Sequence, residues 1–226
     1  MNLKIEAQVL RAALEVSLAK RGTIAVLEHA LLSVGGDGRL SVTTSNLAQE
    51  LTFYVDAQTS AQEPLAVRAD LLKAALYALD GEVALRLTDG RLVLKQGRRQ
   101  FKIPTLPGAD FPRLEVGDST PLGVDPRALA VALARVSYCA GKKDVRYYLN
   151  GVQLRPACVA AADGYRMAID AVTCAGLPPA GVLIPIDSVK LLCDVLRGAD
   201  SVALEGKSRA FLPGSRRFAL QRPAAR

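Results

Sequence analysis

EPLAVRADLLKAALYALDG, residues 63–81, is an extended run that passes straight into a helical pattern and stops at Asp80-Gly81. GVLIPIDSVKLLCDVLRG, residues 181–198, does the same: strand, helix, glycine stop. Val67 of the first matches Ile184 of the second. A strand–helix pair that recurs in each half of a chain is the mark of an internal duplication, and the surroundings support it. Ahead of the first copy, residues 9–20 (VLRAALEVSLAK) carry apolar residues at helical spacing. Strand-like runs follow at 29–34 and 39–45 around a Gly-Gly-Asp-Gly turn, and again at 49–55. Behind it come 82–88 and 91–97, joined by Asp-Gly as a tight hairpin, then 100–105.

The second half repeats the order. DPRALAVALARVSYC (125–139) is a helix with Asp125 as N-cap and Pro126 at the first helical position. YYLNGVQL (147–154), ACVAAA (157–162) and MAIDAV (167–172) read as strands, as do SVALEG, SRAFLPG and RRFALQ near the end. Leu14 matches Leu133, and Phe101 matches Phe218. The Pro-, Gly- and Asp-rich stretch 106–121 reads as a linker. The chain is therefore expected to be α+β, with repeated domains at 1–113 and 114–226, each with two helices packed on a mostly antiparallel sheet.

Lys and Arg number 29 against 22 Asp and Glu, a net charge of +7, so a polyanion such as nucleic acid or an anionic membrane competes with a plain solvated surface. The four cysteines, Cys139, Cys158, Cys174 and Cys193, are widely spaced, with no C-x-x-C pair and only His29 to join a metal set. Reduced, mostly buried thiols and no metal are expected. No apolar run approaches a membrane span, and the N-terminus lacks signal-peptide character, so a cytoplasmic protein without membrane contact is expected. Catalysis and cofactors are not. His29 lies in a strand-like run, Ser201 stands where a phosphate loop around EGKS (205–208) needs Gly, and no nucleophile elbow occurs.

Three word strings carry a resemblance: LPGADFPRLE (106–115), DVRYYLNGV (144–152) and ADGYRMAI (162–169). With the element order, the chain resembles the bacterial sliding clamp, the beta subunit of the replicative DNA polymerase, over essentially its whole length. The resemblance implies the DNA clamp fold, a ring with sheets outside and helices around duplex DNA. It also implies DNA polymerase and clamp loader as partners, and contact with DNA that ignores sequence. Arg21, Lys142 and Lys143 fall on loops that touch DNA in the family. The helix cations Arg11, Lys73, Arg127 and Arg135 would face the hole, and their bland alternative is an ordinary wet surface. Tyr148 is a candidate for stacking on a single-stranded base, whereas Tyr147 is expected to start a strand and pack in the core. Leu149, Ala162, Gly164, Tyr165 and Arg166 would form one half of a cleft for partner peptides; the bland reading of Asp163-Gly164 is a simple turn.

Two departures are expected. Clamps of this family carry three domains per chain and close as dimers, and the stretch here matches two. Three copies would restore six domains, so a homotrimer is expected, with a non-encircling DNA-binding or partner-sequestering module as the alternative. The basic balance also contrasts with the acidic overall charge typical of the family, and Asp70 and Asp187 stand where basic residues are common.

Overall fold

The N-terminal run Asn2–Glu6 is a strand, β1, and it enters helix α1 (Ala7–Glu15) without a loop. The computed structural model describes residues 2–19, 24–35, 38–47, 49–59, 63–114, 119–199, 201–205 and 217–221. These fall into two compact units, one reaching Leu114 and the other running from Glu115 to Pro223.

In the first unit, β2 (His29–Val34), β3 (Leu40–Ser45), β4 (Glu50–Val55), β5 (Gln58–Thr59) and β6 (Leu65–Arg68) lead to α2 (Ala69–Tyr77). Then follow β7 (Glu82–Thr88), β8 (Arg91–Gln96) and β9 (Arg99–Pro107). All nine strands form one antiparallel sheet in the order β4-β3-β2-β6-β9-β8-β7-β1-β5. Asp89 (φ +50°) and Gly90 (φ +68°) close the β7–β8 hairpin, both left-handed as a type I′ turn requires.

The two helices lie together, with Leu10, Leu14, Leu72, Leu76 and Leu79 essentially inaccessible. Each such leucine stabilises the unit by about 1.5–3 kcal/mol. Ala7 N–H donates to the carbonyl of Gly81 (2.9 Å), satisfying a helix-end donor that has no side-chain cap. The first helix stops at Glu15, short of the expected residue 20. Leu18 N–H is taken by Thr44 Oγ1 (3.1 Å) and Ala19 N–H by Ser17 Oγ (3.1 Å), so side-chain oxygens outcompete the next helical turn.

The stretch read as a linker is partly built into this unit. Leu106 and Pro107 pair with β6, and Phe111 is buried against Leu31 and Ala66, with Val26 beside them. Arg113 Nε (3.0 Å) and Leu114 N–H (2.9 Å) both donate to the carboxylate of Glu50, on edge strand β4. LPGADFPRLE thus fastens the end of the unit to its own sheet.

The second unit holds β10 (Ser119–Leu122), α3 (Pro126–Val136), β11 (Gly151–Leu154), β12 (Cys158–Ala162) and β13 (Met167–Ala171). Then come β14 (Val182–Pro185), α4 (Ile186–Leu196), β15 (Ser201–Glu205) and β16 (Arg217–Gln221). They form two antiparallel sheets, β13-β12-β11-β14 and β10-β15-β16. Asp125 caps α3 by accepting from Arg127 N–H, with Pro126 next, as the sequence reading expects. Leu129, Leu133 and Leu196 make the buried helix seam. The element pairs β1–α1 and β6–α2 reappear as β10–α3 and β14–α4, and the matched residues Leu14 and Leu133, like Val67 and Ile184, are all buried.

Tyr147 and Tyr148 do not start a strand. Residues 147–149 form a single 3-10 turn, and β11 begins at Gly151. Asn150 explains the shift: its Oδ1 accepts Asp144 N–H (2.8 Å) and its Nδ2 donates to Asp144 O (2.7 Å), closing a loop where a ladder would need extended backbone. Nor is Tyr147 in the core, since half of its surface is exposed. Cys139, Cys174 and Cys193 are buried and Cys158 half-buried, all as free thiols. His29 Nδ1–H donates to Ala25 O (3.0 Å), a structural role. Among the described residues, no group of three metal-ligating side chains occurs and no helix is long and apolar enough to cross a membrane. Arg21, the SRAFLPG run and most of EGKS lie outside the described residues.

Candidate functional site

The loop 140–150 follows α3 and a short 3-10 turn, Ser137–Cys139. Gly141 N–H donates to Leu149 O (2.8 Å), pinching the loop at its base. Beyond that pinch Lys142 and Lys143 are exposed, and neither has an ion-pair partner among the described residues. Lys143 takes a left-handed backbone (φ +59°). Asp144 then grips Arg146 by both forks, Nε to Oδ1 (3.0 Å) and Nη2 to Oδ2 (2.9 Å), and accepts Arg146 N–H (2.8 Å). The sequence reading had no role for this clasp, although an acid two residues ahead of an arginine is a visible local signal.

The Arg146 bonds hold the Asp144 carboxyl down to about 2, below its ordinary 3.8. A depressed folded-state value means the clasp is fully present above about pH 4 and is lost as pH falls towards 2. An NMR titration of the Asp144 side-chain carboxyl should therefore show a midpoint near 2, and Arg146→Ala should return it to the ordinary carboxylate range.

The clasped Arg146 lies over the turn at Gly164, where a Cβ would sit 2.8 Å from its Nη2. In that turn Asp163 Oδ1 accepts the N–H groups of Tyr165 and Arg166 (both 3.0 Å), and Oδ2 accepts Arg166 Nε (2.9 Å). These donors, the two backbone N–H groups first, lower the Asp163 carboxyl below its usual value. Arg166 also donates to Tyr138 O (3.1 Å) and sits 5.7 Å from the Tyr138 ring centre. Tyr138, Arg146, Gly164 and Arg166 thus form one neighbourhood, linked through the 3-10 turn to Leu149 and through Asp163 to Tyr165.

The apolar surface here is large. Tyr165 is 99% exposed and Val145 fully so. Tyr138, Tyr147, Tyr148, Met167 and Ile169 are each at least half exposed, and the rings of Tyr147 and Tyr148 meet edge to face at 5.7 Å. Ala162, at the end of β12, pairs with Met167 on edge strand β13. Met167 and Ile169 were not singled out from the sequence. Their signal was apolar residues at every other strand position, opposite a face that carries Asp170.

The helix cations behave differently. Arg11 stacks 5.0 Å from the Tyr77 ring centre, donates to Leu79 O (3.2 Å) and approaches Asp80 (3.6 Å). Lys73 pairs with Glu15 (3.3 Å), whose carboxylate also accepts the Tyr77 hydroxyl; these two bonds, Tyr77 first, hold it below the usual range. Arg135 reaches Asp170 at 3.4 Å. Arg127 is exposed, with no side-chain partner among the described residues.

Comparison with known proteins assigns the family. Residues 1–115 match the family model described as DNA polymerase III beta subunit, N-terminal domain. The beta sliding clamp of Escherichia coli K12 is 32% identical over 197 residues, covering 81% of this chain and 52% of that protein. The beta sliding clamp of Caulobacter vibrioides is 31% identical over 205 residues, covering 82% and 54%. This chain thus spans about half the length of the curated relatives it matches. Among solved structures, the DNA polymerase sliding clamp of Caulobacter crescentus superposes with a TM-score of 0.80 at 29% identity, over 92% of this chain and 60% of that one. The sliding clamp of Pseudomonas aeruginosa gives 0.79 at 27% identity, over 100% and 65%. Helices packed on antiparallel sheets in two repeated units, together with these matches, place the chain in the bacterial DNA polymerase III beta subunit family, the beta sliding clamps.

Proposed function

We propose that this chain is a non-catalytic processivity factor that holds duplex DNA without reading its sequence and tethers a DNA polymerase to it. The observation that carries this reading is the loop at 141–150. Its two lysines have no ion-pair partner among the described residues and stand on a base fixed by the Gly141–Leu149 bond and the Asp144–Arg146 clasp. Ammonium groups on such a loop bind phosphates as mobile point charges, which suits a protein that must slide. Arg127 adds to the same unit, and Arg21 would extend the contact in the first. The exposed set around Leu149, Ala162, Gly164, Tyr165 and Arg166 offers one wall of a peptide-binding cleft, with aromatic and arginine groups of the kind that anchor partners. Tyr148 keeps its role as a stacking candidate because its ring is exposed. Loading by a clamp loader follows from the same family reading.

Encirclement needs six such domains, and three copies of the two units supply them in a closed head-to-tail ring. Retention on nicked circular DNA at about 0.5 M salt, a concentration that screens contacts beyond a few ångströms, with release on linearisation, is the expected behaviour. Equal loss from both forms favours the second reading, a module that binds DNA or clamp partners without encircling. That reading has an observation of its own: the helix cations Arg11, Lys73 and Arg135 are already engaged within the chain.

A further inference from the structure

The net charge of +7 has to reside somewhere. The helix cations described above carry little of it in free form. More of it stands on the opposite face of the first unit's sheet. Across β7, β8 and β9 the register sets Arg86 opposite Val93 and Val93 opposite Lys102, with Lys95 opposite Ala84 and Gln100, and Arg91 opposite Thr88 and Pro104. All these residues share one face, because the intervening Val83, Leu85, Leu92, Leu94 and Ile103 are buried on the other. Four cations therefore surround Val93. Val93 itself is only 9% exposed although it points away from the helices, as expected if the aliphatic stems of its neighbours lie over it. Arg91, Lys95 and Lys102 are exposed, with no ion-pair partner among the described residues, and so is Arg98 in the adjoining turn. The acids nearby are Glu82, held by Lys4 at 2.8 Å, its register partner Glu6 on β1, and Asp89 in the β7–β8 turn.

We infer that this outer sheet face is a second, sequence-independent binding surface for the phosphate backbone of duplex DNA, separate from the Lys142–Lys143 loop. Strands about 4.8 Å apart, with same-face residues about 6.8 Å apart along each strand, spread the cations over a flat patch. Charge spaced along flat strands suits an extended polyanion better than a peptide held by one anchored side chain. The patch has no exposed aromatic on which bases would stack, which disfavours single strands. Its exposed apolar side chains are Pro104 and, further along β9, Leu106, too few to insert into a bilayer. A duplex backbone asks only for spaced positive charge. Such a surface would let the protein hold a second DNA segment, or scan DNA from outside, whether or not a ring forms.

The test is fluorescence anisotropy of the full chain with a linear labelled duplex, between 50 and 200 mM salt. The triple variant Arg91→Gln, Lys95→Gln, Lys102→Gln is compared with Lys142→Gln, Lys143→Gln and with the parent. Three lost phosphate contacts should lower the salt slope by about 3, so that the parent weakens about 40-fold more than the triple variant across that range. The charge-keeping variant Arg91→Lys, Lys95→Arg, Lys102→Arg should bind like the parent, which separates lost charge from lost fold. The loop variant reports on the proposed clamp function independently. A parent slope retained by the triple variant overturns the inference. So does a triple variant whose defect appears only on phosphatidylserine vesicles and not on DNA.

Discussion

Replacing Lys142 and Lys143 with glutamine should weaken binding to duplex DNA about 50-fold at 0.1 M salt. The reason is counterion release: each phosphate contact contributes a salt slope of about 0.9, so two contacts are worth nearly two decades per decade of salt. The loop itself should survive the change. Its base is made by the Gly141–Leu149 backbone bond, the Asp144–Asn150 bonds and the Asp144–Arg146 clasp, none of which uses a lysine side chain. Loss should be uniform across DNA sequences, because ammonium–phosphate contacts carry no base information. Anisotropy titrations on two duplexes of different sequence measure both points. An affinity change below about threefold would show that the loop does not meet DNA, since a single contact is worth more.

The second large effect concerns the sheet that carries the proposed cleft wall. Gly181, at the entry to β14, has φ +69°, and a Cβ there would lie 2.2 Å from the carbonyl oxygen of Leu154. Leu154 is the register partner of Val182, so the clash falls on backbone that is already paired. Gly181→Ala should destabilise the second unit by about 3 kcal/mol or more, combining left-handed strain with displaced strand pairing. Its unfolding midpoint should drop by about 12 °C or more. Gly90 is the control: its φ is +68°, but nothing lies within 4 Å of the Cβ position, so Gly90→Ala should cost only the strain of about 1–2 kcal/mol. Similar losses at the two glycines, measured by thermal unfolding, would remove the argument from close approach.

Much of the fold was legible because the duplicated strand–helix pair is strongly periodic. Asp125-Pro126 marked a helix start, and Asp89-Gly90 marked a hairpin, through local chemistry alone. What the sequence hid was decided by particular side-chain contacts, most of them distant in the chain. Thr44 ends the first helix by taking a backbone donor from Leu18. Glu50 and the buried Phe111 turn an apparent linker into part of the first unit. Asn150, six residues from Asp144, converts a strand-like YYL into a 3-10 turn and sends both tyrosine rings outward.

The site was legible in the same uneven way. The lysine pair and the ADGYR turn stood out as word strings. The engagement of Arg11, Lys73 and Arg135 by Asp80, Glu15 and Asp170 depends on which side chains the fold brings face to face, and periodicity does not report that. The consequence is chemical: three helix cations that look available in the sequence are engaged in the structure, while among the described residues the lysines of the loop and Arg91, Lys95 and Lys102 of one sheet face have no ion-pair partner.

The proposed ring of three copies is tested most directly by native mass. Size-exclusion chromatography with light scattering, over micromolar concentrations and a range of salt, should give about 72 kDa, three times the 24.0 kDa of one chain. A mass of 24.0 kDa that does not change with concentration would contradict the ring and leave a module that binds DNA or clamp partners from one side.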